Sequence, residues 1–141
     1  RMRAFIDTSA LVKKYIQEAG AEQFEEFLKS ISEIAVAPTY WIEFNSAVHK
    51  RLLSKHLTRK NSDHILTEGK KDLIFFHTVI WNDSLEQEAL KLIEKYSIRT
   101  LDAIQLASGV LSESDFFVTS DRKLLSYAKK EVKQAVLISS E

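Results

Sequence analysis

The sequence predicts an α/β protein, an α/β/α sandwich in which helices cover both faces of a mainly parallel five-stranded sheet. Three observations carry this. Short β-branched and aromatic runs alternate with helical stretches in the order β-α-α-β-α-α-β-α-α-β-α-β, the pattern of a parallel sheet joined by helical crossovers. The chain has 141 residues, 45% of them hydrophobic, enough for one core that removes roughly 68 to 70% of the unfolded surface from water. No linker, repeat or low-complexity segment interrupts it, so residues 1–141 read as a single domain.

The first strand runs from Met2 to Ile6 and ends at Asp7-Thr8-Ser9, whose side-chain oxygens can cap a helix through Ala10, Leu11, Lys13, Lys14, Tyr15 and Ile16. Arg1 ahead of Met2 reads as an appendage outside the fold. After Gly20, the residues Phe24, Phe27, Leu28 and Ile31 recur at helical spacing on an otherwise acidic segment, which makes a surface helix. Ile34 to Ala37 is a second strand, broken by Pro38. Trp41, Phe44, Val48 and Leu52 then mark the buried stripe of a helix running to about Ser54, with Glu43 near its beginning. Residues 58–75 are helical and lead to a third strand at Thr78 to Trp81.

Asp83-Ser84 with Glu86 and Gln87 resembles a helix-opening cap, and Leu85, Ala89, Leu92, Ile93 and Tyr96 supply the apolar face behind it. Thr100 to Leu111 is apolar nearly all round, so this helix is buried on more than one side, with Asp102 inside it. Phe116 to Val118 is a strand and Thr119-Ser120-Asp121 a helix entry. Leu124, Leu125 and Ala128 face the core from the helix that follows, and Ala135 to Ile138 closes the sheet.

Composition removes several classes of function. With no cysteine there is no disulfide framework, thiolate nucleophile or cysteine-ligated zinc, so any metal binds through oxygen or histidine. Three scattered glycines (Gly20, Gly69, Gly109) cannot make a phosphate-cradling P-loop or a dinucleotide turn. Twenty basic and twenty acidic side chains cancel, which leaves charge distribution to decide partners. No apolar run approaches the ~18 residues of a membrane span, and the expected setting is soluble and cytoplasmic, with no membrane partner.

Parallel sheets place ligands beyond the carboxyl ends of their strands, where the strand order reverses. Asp7 follows the first strand, Asp121 follows the strand at 116–118, Glu43 opens the helix after the second strand, and Asp102 starts the apolar helix that leads into the Asp121 strand. If these segments converge, four carboxylates share one cleft. Two of them ~5 Å apart repel by ~3 kcal/mol at an effective dielectric near 20, so protons or cations must compensate. Mg²⁺ or Mn²⁺ suits carboxylate oxygen, bridges to phosphate and activates water, which is phosphodiester-hydrolysing chemistry. Taken singly, Asp7 and Asp121 equally suit helix caps and Glu43 a surface acid in a first helical turn. Asp102 is harder to explain away, because buried charges need partners. Asp83 is accounted for by capping and Asp115 lies at the start of its strand, away from the cleft.

Four pieces of the chain, in order, resemble the PIN domain and within it the VapC-type ribonuclease toxins of prokaryotic toxin–antitoxin pairs. They are Phe5-Ile6-Asp7-Thr8-Ser9-Ala10-Leu11, then Glu43 after the second strand, then Thr100-Leu101-Asp102-Ala103-Ile104-Gln105-Leu106-Ala107, then Phe117-Val118-Thr119-Ser120-Asp121. The resemblance implies a five-stranded parallel sheet, Mg²⁺- or Mn²⁺-dependent endoribonuclease activity, a homodimer, and an antitoxin protein that blocks the site. It carries the acidic metal site onto Asp7, Glu43, Asp102 and Asp121, with Thr119 orienting carboxylates or water. Related domains also serve in RNA maturation and decay, so an RNA-processing nuclease is the alternative role.

The stretch from His49 to Lys71 holds seven basic side chains (Lys50, Arg51, Lys55, Arg59, Lys60, Lys70, Lys71) against Asp63 and Glu68. The plain reading is a solvated helix pair; the functional one is a surface beside the acid cleft that grips an RNA backbone. His49, His56 and His64 lack zinc-site spacing and read as surface or packing residues. Trp41, Phe44, Phe75, Phe76 and Trp81 are expected to pack in the core rather than stack on bases. Two rival functions stand beside the nuclease: a phosphatase with Asp7 as nucleophile, disfavoured because Ser9 stands where such enzymes carry a second Asp, and a non-enzymatic module whose acids hold basic side chains.

Overall fold

The computed structural model describes residues 2–140; Arg1 and Glu141, the ends of the expected domain, lie outside the described residues. Five strands, β1 (Arg3–Ile6), β2 (Glu33–Val36), β3 (His77–Thr78), β4 (Phe116–Thr119) and β5 (Ala135–Leu137), form one sheet in the order β3-β2-β1-β4-β5. Every neighbouring pair is parallel. The helices are α1 (Thr8–Leu11), continued by a 3₁₀ turn over Val12–Lys14, α2 (Ala21–Leu28), α3 (Tyr40–Leu53), α4 (Arg59–Leu73), α5 (Asp83–Tyr96), α6 (Thr100–Leu111) and α7 (Arg122–Glu131). The α/β fold and the element order are those the alternation predicts.

Strand alternation divides the core in two. Ala4, Ile6, Val36 and Val118 face one side with residues of α1 to α4, including Leu11, Phe24, Phe44 and Val48. Phe5, Ala35 and Phe117 face the other with Leu85 and Leu92 of α5, Leu106 of α6 and Leu124 of α7. The α6 helix approaches the sheet so closely that a Cβ on Gly109 would lie 2.4 Å from the Phe117 ring and 3.1 Å from that of Phe5. Phe5 and Phe117 themselves stack with centroids 5.3 Å apart. Among the described residues, no helix is long and apolar enough to cross a membrane.

Three local expectations need correction. The third strand is only His77–Thr78, because it is an edge with β2 as its one neighbour; Val79 N still donates to Val36 O, but Ile80 and Trp81 run out into solvent. Phe75 and Trp81 are accordingly exposed rather than packed, while Phe44 is buried and Trp41 and Phe76 are half-buried as expected. The α5 cap is Asn82, whose Oδ1 accepts from Leu85 N at 3.0 Å, and Asp83 is the first helical residue.

Candidate active site

From β1 the chain builds outward through β2 to β3, then returns to the opposite side of β1 for β4 and β5, so the strand order reverses between β1 and β4. In parallel sheets this reversal, at the carboxyl ends of the strands, is where ligands bind. Ile6 is in register with Val118, and Asp7 N donates to Val118 O at 2.8 Å. The side chains of Asp7 and Thr119 are thereby brought together at the strand ends.

Asp7 is buried. Its Oδ2 accepts from Ser9 Oγ at 2.6 Å and from Thr119 Oγ1 at 2.7 Å. Each hydroxyl also accepts from the opposite loop or its own turn: Ser120 N donates to Ser9 Oγ and Asp121 N to Thr119 Oγ1, both at 3.0 Å. One carboxylate oxygen thus ties the β1–α1 turn to the β4–α7 turn. The backbone of Asp7 opens α1, its carbonyl accepting from Ala10 N and Leu11 N, but its side chain makes no cap bond. The capping explanation therefore fails for the Asp7 side chain. It holds for Asp121, whose Oδ1 accepts from Lys123 N at 2.9 Å and Leu124 N at 3.0 Å.

Glu43 lies in the first turn of α3, and its Oε2 accepts from Thr39 Oγ1 at 2.5 Å and from Gln105 Nε2 at 2.8 Å. Asp102, in the first turn of α6, is half-buried with Arg99 Nε 3.7 Å away. Burial pushes the Asp7 pKa from 3.8 to about 6; the two hydroxyls oppose that rise, and the charges of Glu43 and Asp102 add to it. Glu43 and Asp102 are also raised, each first by burial, Glu43 also by the charge of Asp102 and Asp102 also by that of Asp121. Charge therefore links Asp7, Glu43 and Asp102 to one another, and Asp102 to Asp121.

Three of the four acids share a pattern. Asp7, Glu43 and Asp121 each commit one oxygen to two protein donors, and among the described residues the other oxygen receives no hydrogen bond. No three His, Asp or Glu side chains among the described residues are gathered into a group that could hold a metal ion. Mg²⁺ does not require such a cage, since it binds through one or two carboxylates and keeps its waters and substrate phosphates. An all-oxygen donor set with free carboxylate oxygens and mutual repulsion to relieve fits a hard divalent ion.

Sequence reasoning missed Ser9, Thr39 and Gln105. Ser9 was masked by its reading as a cap. Thr39 and Glu43 stand four apart across a helix start, a spacing that lets a hydroxyl reach a carboxylate. Gln105 is a polar side chain in the apolar run of α6, one turn beyond Asp102, and that anomaly was the available signal.

A family model described as the PIN domain matches residues 4–130. No curated protein matches the sequence. A toxin–antitoxin complex from Klebsiella pneumoniae has a chain 18% identical to this one with a TM-score of 0.67, the match covering 87% of this chain and 90% of that one. PAE2754 from Pyrobaculum aerophilum is 20% identical with a TM-score of 0.66, over 94% of this chain and 89% of that one. VapBC2 from Rickettsia felis, solved bound to a DNA fragment from its promoter, is 13% identical with a TM-score of 0.66, over 96% and 99%. At these identities the likeness is one of fold.

Proposed function

Because the chain belongs to the PIN-domain family, whose members are generally nucleases, we propose that it is a divalent-metal-dependent endoribonuclease and the toxin of a toxin–antitoxin pair. The observation that carries this reading is the buried Asp7 at the strand-order reversal, coupled by charge to Glu43 and Asp102 and stitched through Thr119 to the turn that bears Asp121. Asp7, Glu43, Asp102 and Asp121 would hold Mg²⁺, or Mn²⁺ in its place. A bound divalent ion supplies counter-charge to the phosphodiester and lowers the pKa of water.

The remaining chemistry belongs to the side chains. Asp7 Oδ2 is fixed by two hydroxyls, which leaves Oδ1 as the oxygen that would hold the ion. Thr119 donates to Asp7 while accepting from Asp121 N, which keeps the two acids in a constant relation. Asp121 is held by its own helix start. The toxin role follows the setting of two similar structures, a toxin–antitoxin complex and VapBC2, and brings an antitoxin partner with it. A homodimer is supported by the exposed apolar side chains Ile74, Phe75, Ile80 and Trp81 around the β3 edge.

Incubation of defined RNAs with the protein in Mg²⁺, Mn²⁺ or chelator tests the proposal. Cleavage is expected with either metal and not with chelator. Asp7→Asn is expected to reduce it by at least about a hundredfold, the scale seen when one preorganised electrostatic group is lost, with an unchanged circular dichroism spectrum. A fully active Asp7→Asn protein would eliminate the mechanism.

A further inference from the structure

We infer that Gln105 is a positioning residue for Glu43, a charge-neutral clamp that fixes one carboxylate oxygen and leaves the other for a divalent cation; this rests on the nuclease reading above. Gln105 lies on α6 three residues beyond Asp102 and is 2% exposed, in a run from Ala103 to Gly109 that is otherwise small or apolar and buried. Its Nε2 crosses to α3 and donates to Glu43 Oε2 at 2.8 Å, with Thr8 Oγ1 at 3.4 Å. Its Oε1 is buried with no hydrogen-bond partner among the described residues. An amide retained for packing would satisfy both its ends or be replaced by an aliphatic side chain, because a buried acceptor left unmade destabilises the fold. Turning the amide over would set Oε1 against a carboxylate, so the orientation is dictated by Glu43.

The chemistry of the donor matters. A Lys or Arg at this place would neutralise the acids and compete with a cation, whereas an amide N–H orients Glu43 and adds no charge. With Thr39 donating to the same Oε2, Glu43 Oε1 receives no hydrogen bond from the described residues. Asp7 is treated alike by Ser9 and Thr119, so the same device occurs at a second of the acids. Groups that orient a metal-binding carboxylate in this way change metal affinity about 10- to 100-fold when removed.

The test measures Mn²⁺ binding to the whole chain by titration calorimetry without RNA, alongside thermal melting in chelator. Gln105→Met keeps the length and removes the donor. It is expected to melt at or above the wild-type temperature, to bind Mn²⁺ about 10-fold more weakly, and to regain cleavage as Mn²⁺ is raised. Gln105→Leu, which likewise removes the donor, is expected to weaken binding similarly and carries the test if Gln105→Met does not fold. Wild-type affinity in a folded Gln105→Met, or in Gln105→Leu where it stands in, overturns the positioning role and leaves the nuclease reading intact. A wild-type chain that neither takes up Mn²⁺ nor cleaves RNA overturns both.

Discussion

Asp7 carries a carboxylate into the interior with two hydroxyl donors on one oxygen, and burial still raises its pKa from 3.8 to about 6. The sign of the consequence follows from proton counting. Between those two values the folded protein holds a proton that the unfolded chain has released, so stability falls as pH rises through this window and is flat above it. The full loss is about 3 kcal/mol at 1.36 kcal/mol per pKa unit. Asn at this position keeps an oxygen for Ser9 and Thr119 and carries no charge. In chelator, Asp7→Asn is therefore expected to melt several degrees above wild type at about pH 8, with the gap closing as pH falls toward about 4. Melts across that range check it, and a pH-independent gap would show that charge burial is not the cause. The residue type at this strand–helix junction was legible in the sequence, but its role was not. An Asp there can cap a helix or hold a ligand, and only the side-chain direction, toward Ser9 and Thr119, separates the two.

At the scale of elements, α6 matters most because it carries both Asp102 and Gln105 and is pressed onto the sheet at Gly109. Gly109→Ala tests that packing. Helix propensity alone would favour Ala by about 1 kcal/mol, yet the new methyl would stand 2.4 Å from Phe117, itself buried against Phe5. Overpacking a core costs about 1–3 kcal/mol, and a contact this short falls toward the upper end, so a net loss of about 1–2 kcal/mol is expected in urea titration. A stabilised variant would mean that α6 can lift from the sheet. The helix itself was legible to the residue, Thr100 to Leu111, because no polar face interrupts its apolar periodicity. The third strand was not. Thr78 to Trp81 has strand-like side chains, but pairing needs a neighbour, and beyond Thr78 the β2 strand has already ended at Val36.

Across the whole molecule the charges cancel, yet they are not evenly placed. Lys50, Lys55, Arg59 and Lys60 are exposed around the α3–α4 turn and make no ion pair among the described residues. Arg51 differs: its Nε and Nη2 donate to Glu18 at 2.9 and 2.8 Å, and Lys13 Nζ joins the same carboxylate at 3.1 Å, so its charge is already answered. Lys70 lies over the Trp41 ring, 4.9 Å from its centroid and near the end of α3 that bears Glu43. A strand of RNA following the two helices would run along Lys70 toward Lys60, Lys55 and Lys50. Each phosphate contact on a single strand contributes about 0.7 to the slope of log K against log salt. Replacing Lys50, Lys55 and Lys60 together by Ser, in the Asp7→Asn background so that RNA survives the measurement, is expected to flatten that slope by up to about 2. Fluorescence anisotropy over a salt series reads it directly. An unchanged slope would move the RNA path off these helices, and the basic stretch would then be a solvated surface with no part in binding.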